Sequence, residues 1–288
     1  MEKDLTHGNT LKLIISFCIP LIGGAIFQQL YNVVDTMIVG RFVGVDALAA
    51  VGSTGSLNFL IIGFVLGLAA GFGIPIAQAF GAREEKRMLQ TIMNAFYLCI
   101  FFSIVLTVLT HFTTETLLQW MQTPANIFKQ SYDYISIIFY GLTCTIAYNF
   151  LASVSRALGD SKTPLYAMVF AALVNIGLDL LFVIGFKKGV VGAAIATVIA
   201  QFSSSLFCLK ALSRIEIVQV TKKDFKLDGV IISRLCELGI VTAFQNIIIS
   251  VGGMVVQSVV NGYGFIFVAG FTATNKLYGL LELAAISL

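Results

Sequence analysis

The chain has 288 residues, of which 58% are hydrophobic and only 11% are charged, and its mean hydropathy is +0.92. An ordinary soluble domain carries roughly 25% charged residues, so this composition excludes a soluble globular protein and indicates an integral membrane protein. The sequence has no phosphate-binding loop, nucleophile elbow or metal-type cysteine spacing, and it predicts no enzyme activity and no cofactor.

Apolar runs recur along the whole chain, and each is long enough to cross a bilayer, which takes roughly 20 helical residues. We therefore predict an all-α polytopic helical bundle. Its transmembrane spans are predicted at residues 11–40, 47–80, 88–112, 128–154, 163–186, 189–212, 229–261 and 264–288.

The connections between these spans predict the orientation of the chain. Most of its 18 Lys and Arg residues fall on the same side as the N-terminus, and the positive-inside rule places that side in the cytoplasm. We expect a multi-pass protein of the cell (plasma) membrane. Its net charge of +3 then reflects topology, so nucleic-acid binding is not expected and membrane lipid is.

The longest polar connection divides the chain into two predicted lobes. We predict a six-helix N-lobe at 1–212, a cytoplasmic inter-lobe linker at 213–228 and the first two helices of a C-lobe at 229–288. A shift of 220 positions aligns Val39 with Val259 and repeats the hydropathy pattern of the opening spans, as in transporters with parallel repeats. Four further C-lobe helices would complete the repeat, so we interpret the chain as a fragment or a truncated product.

Glycine and proline residues inside the spans predict where helices pack or bend. Gly63, Gly67 and Gly71 recur every four residues on one helix face, which favours close approach of a neighbouring backbone. Pro20 and Pro75 each remove a backbone hydrogen bond within a span and favour a kink. Pro20 is a candidate hinge, although a merely bent helix is an equal alternative.

Two carboxylates lie where a membrane helix should have none. Asp35 falls within the first apolar run and Asp179 within the fifth. An ionised side chain at bilayer depth costs at least about 2.5 kcal/mol, and such residues normally face a cavity or a partner and have a function. We predict that Asp35 and Asp179 form a site for a cation or a proton.

Polar residues at helical spacing extend this candidate site. They form three groups, each on one helix face: Gln28, Tyr31 and Asn32 with Asp35, then Asn175 with Asp179, then Thr197 with Gln201. Their oxygens are the ligands that a hard cation such as Na+ prefers, whereas a carboxylate with few partners can take up a proton instead. The alternative is that these groups only form hydrogen bonds between helices.

A second distinctive patch is the connection RALGDSKTP at residues 156–164. Gly159 and Asp160 are typical of a turn, and Pro164 suits the first turn of the next helix. Arg156 and Lys162 favour a cytoplasmic position. We interpret this segment as a well-formed connection rather than as part of the transport site.

At these residues the chain resembles the multidrug and toxic compound extrusion (MATE) family of cation-coupled exporters. The resemblance rests on four stretches in matching order and spacing: YNVVDTMIVGRFVGVDALAAVG at 31–52, RALGDSKTP at 156–164, NIGLDLLFVIG at 175–185 and GAAIATVIAQ at 192–201. It implies twelve helices in two lobes around a substrate cavity. It also implies a cation site at Asp35, Asp179, Asn175 and Thr197 and a helix bend at Pro20.

These observations lead to one main hypothesis and two alternatives. The main hypothesis is a secondary antiporter that exports small organic, often cationic, compounds in exchange for Na+ or H+. The first alternative is a flippase for lipid-linked sugars, which would need several basic residues in its cavity, whereas no Lys or Arg before Lys276 lies deep in a predicted span. The second is a truncated membrane protein that does not transport.

Overall fold

The computed structural model describes residues 10–218 and 225–261, and throughout these ranges the ordered elements are helical. There are eight α-helices, one π-helix and one 3-10 helix in the described part of the chain. The α-helices are α1 (Thr10–Phe42), α2 (Val45–Gly81), α3 (Glu85–Trp120), α4 (Ala125–Tyr140), α5 (Leu142–Ala157), α6 (Lys162–Asp179), α7 (Gly189–Leu212) and α8 (Gly229–Asn261); the π-helix is Leu180–Gly185 and the 3-10 helix Glu216–Val218.

Six of these helical segments are each long and apolar enough to span a membrane. Large apolar side chains such as Trp120, Phe112 and Val230 are exposed, which is typical of a protein that contacts lipid. The prediction of an all-α polytopic membrane protein is confirmed. The predicted span at 264–288 lies outside the described residues, and the lobe boundaries stay predictions.

The predicted fourth span, 128–154, differs from a single straight helix. It consists of α4 and α5, which meet at Gly141 with a bend of 47°. A Cβ atom on Gly141 would lie 2.3 Å from Cγ2 of Val198, so α7 approaches the bend more closely than any larger residue allows. The break thus coincides with a close tertiary contact, which hydropathy does not report.

Helix α2 lies at the centre of the packing and contacts α3, α4, α5 and α8. Its buried side chains include Val65, Leu68, Phe72 and Ile76, which join the main hydrophobic core. Because this helix is apolar on nearly every side, it is surrounded by other helices rather than by lipid alone.

The predicted glycine face of α2 forms the contact with α8. Cβ atoms added at Gly67 and Gly71 would lie 2.4 Å from the Cα of Ala243 and 2.5 Å from the Cα of Gly239. Asn246 of α8 also donates a hydrogen bond from Nδ2 to the Gly63 carbonyl at 3.3 Å. The packing role predicted for these glycines is confirmed.

The residues that precede α8 are fixed to α3. Asn94 is fully buried; its Nδ2 donates to the Lys226 carbonyl at 3.2 Å, and its Oδ1 accepts from the Asp228 backbone N–H at 3.0 Å. Tyr97 donates from its hydroxyl to the Phe225 carbonyl at 3.2 Å. Side chains of α3 thus position the start of α8.

Candidate functional site

A polar cavity of about 580 Å³ lies among α1, α2, α4, α5, α6 and α7. All its described walls therefore come from the first seven helices, and α8 contributes none. The two charged residues in the described lining are Asp35 and Arg156. The polar lining residues that the sequence predicted are Gln28, Tyr31, Asn32, Asp35, Thr197 and Gln201, and Pro20 also lines the cavity.

The two predicted carboxylates come together beside this cavity. Asp35 is 7% exposed and Asp179 is fully buried, and their carboxyl groups are close enough to interact electrostatically. Among the described residues, Oδ1 of Asp35 and both carboxyl oxygens of Asp179 have no hydrogen-bond partner. Three of the four carboxyl oxygens of this buried pair thus lack a hydrogen-bond partner there, and neither carboxylate forms an ion pair with a described basic residue.

The local structure of α1 and α6 explains how the pair forms. Asp35 lies in the last two turns of α1, which packs along α6. Asp179 is the last α-helical residue of α6, and the π-helix Leu180–Gly185 follows it directly. A π-helical turn shifts the register of the side chains and is frequent at functional sites.

The remaining predicted residues lie on the same helices as the carboxylates or line the adjacent cavity. Asn175 is fully buried one turn before Asp179, and neither atom of its amide has a hydrogen-bond partner among the described residues. Tyr31 donates from its hydroxyl to Oγ1 of Thr197 at 3.4 Å and interacts electrostatically with both carboxylates. Oε1 of Gln201 is likewise buried without a described partner.

Gln28 and Asn32 have a different environment. Both are exposed residues of α1 that line the open part of the cavity. They share the helix face of Asp35, as the sequence predicted, but they lie in the solvent-accessible part of the cavity rather than in the buried pocket around Asp179.

Sequence reasoning missed several residues of the cavity lining, and two of them affect its electrostatics. Tyr134 of α4 is buried, lines the cavity and interacts electrostatically with Asp35, Tyr31 and Asp179. Arg156 was assigned to a connection, whereas it lies in the last turn of α5 and lines the cavity. The sequence indicated Arg156 only as a basic residue of a connection, and no pattern in the sequence indicated Tyr134.

The arrangement is suited to holding one positive charge. Two carboxylates at low dielectric repel each other strongly unless a proton or a cation lies between them. The unpartnered oxygens of Asp35, Asp179 and Asn175, with the Thr197 hydroxyl close by, are hard oxygen ligands of the kind that Na+ binds. No cluster of three or more His, Cys, Asp or Glu side chains occurs in the described residues, so a transition-metal site of that kind is absent there.

The fold and the site together define a polytopic helical membrane protein whose spans border a polar cavity with a buried pair of carboxylates beside it. The family model described as MatE matches residues 20–181, a range that contains both carboxylates. The chain belongs to the MatE family.

Individual relatives and structures agree with this assignment. The chain is 32% identical to the probable multidrug resistance protein YpnP of Bacillus subtilis over 99% of its length and 64% of the relative. It is 31% identical to the probable multidrug resistance protein YoeA of the same species over 94% of its length and 60% of the relative. A crystal structure of MATE in the bent conformation superimposes with a TM-score of 0.90 and 26% identity, covering 97% of this chain and 63% of the other. The chain thus spans less than two thirds of the length of each of these three proteins.

Proposed function

We propose that the full-length protein is a secondary active exporter that exchanges small organic, often cationic, compounds for Na+ or H+. The observation that carries the proposal is the buried pair of Asp35 and Asp179, in which three of the four carboxyl oxygens have no hydrogen-bond partner among the described residues. The relatives named as multidrug resistance proteins support the substrate class.

Each residue of the site has a role in this proposal. Asp35 and Asp179 bind the coupling ion, because their paired charges are neutralised only when it is present. Asn175 and Thr197 complete the oxygen ligands when the ion is Na+. Tyr31 connects the ion site to Thr197 through its hydrogen bond at 3.4 Å, while Gln28, Asn32 and Gln201 contact the exported compound in the cavity.

Coupling requires that the ion and the exported compound favour different conformations, since equal preference shifts no equilibrium. Pro20 offers a mechanical element for this, because it lies buried within α1, on the cavity wall and on the same helix as Asp35. We propose that ion entry at Asp35 changes the bend of α1 at Pro20 and narrows the cavity.

The flippase alternative is less well supported. Lipid-linked sugars carry phosphate groups, and the described lining of the cavity contains a single basic residue, Arg156. Lys276, the basic residue predicted deep in the last span, lies outside the described residues.

The test uses the full-length protein in vesicles loaded with a fluorescent organic cation, with sodium and pH gradients imposed separately. Asp35→Asn and Asp179→Asn should each reduce gradient-driven efflux by at least about tenfold, because the ion then lacks its countercharge. Asp46→Asn is the matched control, since Asp46 is an exposed carboxylate in the first turn of α2 and is outside the cavity lining. Full efflux by both site variants would refute the proposal.

A further inference from the structure

Arg156 is the feature of the cavity that cation binding does not explain. Its guanidinium is partly buried and lines the cavity, yet in the described part of the chain it forms no ion pair with a carboxylate. The charged and polar groups that interact with it there are Tyr148 and Cys208. A desolvated cation normally has an anionic partner, because the loss of water is costly.

The backbone directs this side chain into the cavity rather than away from it. Side chains on an α-helix tilt toward the N-terminus of the helix. Since Arg156 lies in the last turn of α5, its side chain extends back along α5 toward Asn149, another cavity residue. Asp160, the nearest acid in sequence, instead accepts hydrogen bonds from the backbone N–H groups of Lys162 and Thr163, both at 3.0 Å.

Arg156 and Asp35 lie toward opposite ends of the cavity. Arg156 interacts with Tyr148, which donates a hydrogen bond from its hydroxyl to the Pro164 carbonyl at 3.5 Å. The next residue, a leucine, packs against Gly24 of α1. Asp35 lies eleven residues after Gly24 on α1, which corresponds to a helical rise of about 16 Å. The cavity therefore has a cationic end and an anionic end, separated by polar side chains.

We propose that Arg156 is an anion subsite of this cavity, which binds an oxyanion, such as a carboxylate, of an exported compound. The planar guanidinium binds a carboxylate through two parallel hydrogen bonds. A zwitterionic compound of sufficient length then has its anion at Arg156 and its cation toward Asp35. This inference rests on the proposed export function, which it makes more specific.

The experiment compares a rhodamine that carries a free carboxylate with its ethyl ester, which lacks the negative charge and is otherwise the same dye. Binding of each dye to the purified full-length protein is measured by fluorescence polarisation, and gradient-driven export is measured in vesicles. Arg156→Gln should weaken binding of the acid by about tenfold, the amount expected for a charged hydrogen bond, and leave the ester within about twofold. Arg156→Lys should fall between wild type and Arg156→Gln, because it keeps the charge but loses the planar fork.

Lys162→Gln is the matched control, since it removes an exposed positive charge six residues away that is outside the cavity lining. Equal losses for both dyes in Arg156→Gln, or an unchanged affinity for the acid, would overturn the inference. Arginine-dependent binding of the acid without gradient-driven export of either dye would support the anion subsite and refute the export function. Thermal unfolding of each variant identifies any loss of binding that follows from misfolding. If Arg156→Gln does not fold, the affinity of Arg156→Lys for the acid relative to the ester decides the question.

Discussion

The crossing of α2 and α8 allows a quantitative prediction, because it depends on two glycines. In Gly67→Ala the new Cβ would lie 2.4 Å from the Cα of Ala243 and 2.7 Å from its backbone nitrogen. Ordinary van der Waals contacts of a Cβ atom begin near 3.4 Å, so α2 and α8 must separate by about 1 Å to accept the alanine. Overpacking of this kind typically costs about 1–3 kcal/mol, and the higher helix propensity of alanine returns up to about 1 kcal/mol. We expect a net loss of about 1–2 kcal/mol.

The assay is thermal unfolding of the purified full-length protein in detergent. Gly52→Ala provides the matched control, since Gly52 lies on the same helix and its Cβ would meet nothing within 4 Å. The control should unfold at the wild-type temperature or slightly above it, and Gly67→Ala should unfold several degrees lower. Equal stability of the two variants would refute the reasoning that the close approach of α2 and α8 requires glycine.

Two further predictions concern α3 and α1. Asn94→Ala should lower the free energy of unfolding by about 1–3 kcal/mol, because the Asp228 N–H and the Lys226 carbonyl lose a buried partner. In the same thermal assay Asn149→Ala should cost less, since its amide donates within its own helix, and the reverse order would contradict the prediction. Pro20→Ala should reduce gradient-driven efflux while thermal stability is kept or raised, because a straight α1 regains a backbone hydrogen bond. Pro75→Ala, inside α2 and outside the cavity lining, should retain efflux; equal losses in both variants would argue against a hinge at Pro20.

The sequence predicted those features that rest on strong, local signals. Hydropathy identified the spans because a run of about 20 apolar residues matches the thickness of a bilayer and is longer than most helices of a soluble core. Asp35 and Asp179 stood out because an acid at bilayer depth is costly, and the glycine face of α2 stood out because it repeats every four residues. Each of these signals is carried by the residue types themselves, so no tertiary information was needed.

The features that it missed depend on contacts between distant segments. The bend at Gly141 lies where Val198 of α7 packs closely, and Tyr134 joins the site because α4 borders the same cavity as α1. Arg156 was placed in a connection because the predicted span ended at residue 154, whereas α5 continues to Ala157. An error of one helical turn at a boundary was thus enough to remove a charged residue from the predicted cavity.

Helix α2 links the cavity to α8, and its sequence shows how. Asn58, Ile62 and Leu66 recur every four residues and line the cavity, while Gly63, Gly67 and Gly71 recur with the same spacing one position later and face α8. The two faces belong to one continuous helix, so we expect a movement of the cavity wall to shift the glycine contact as well. Because that contact is between backbones, it has little side-chain freedom with which to absorb a displacement. Rearrangement of the cavity around an ion or a substrate should therefore be transmitted to α8 chiefly through α2.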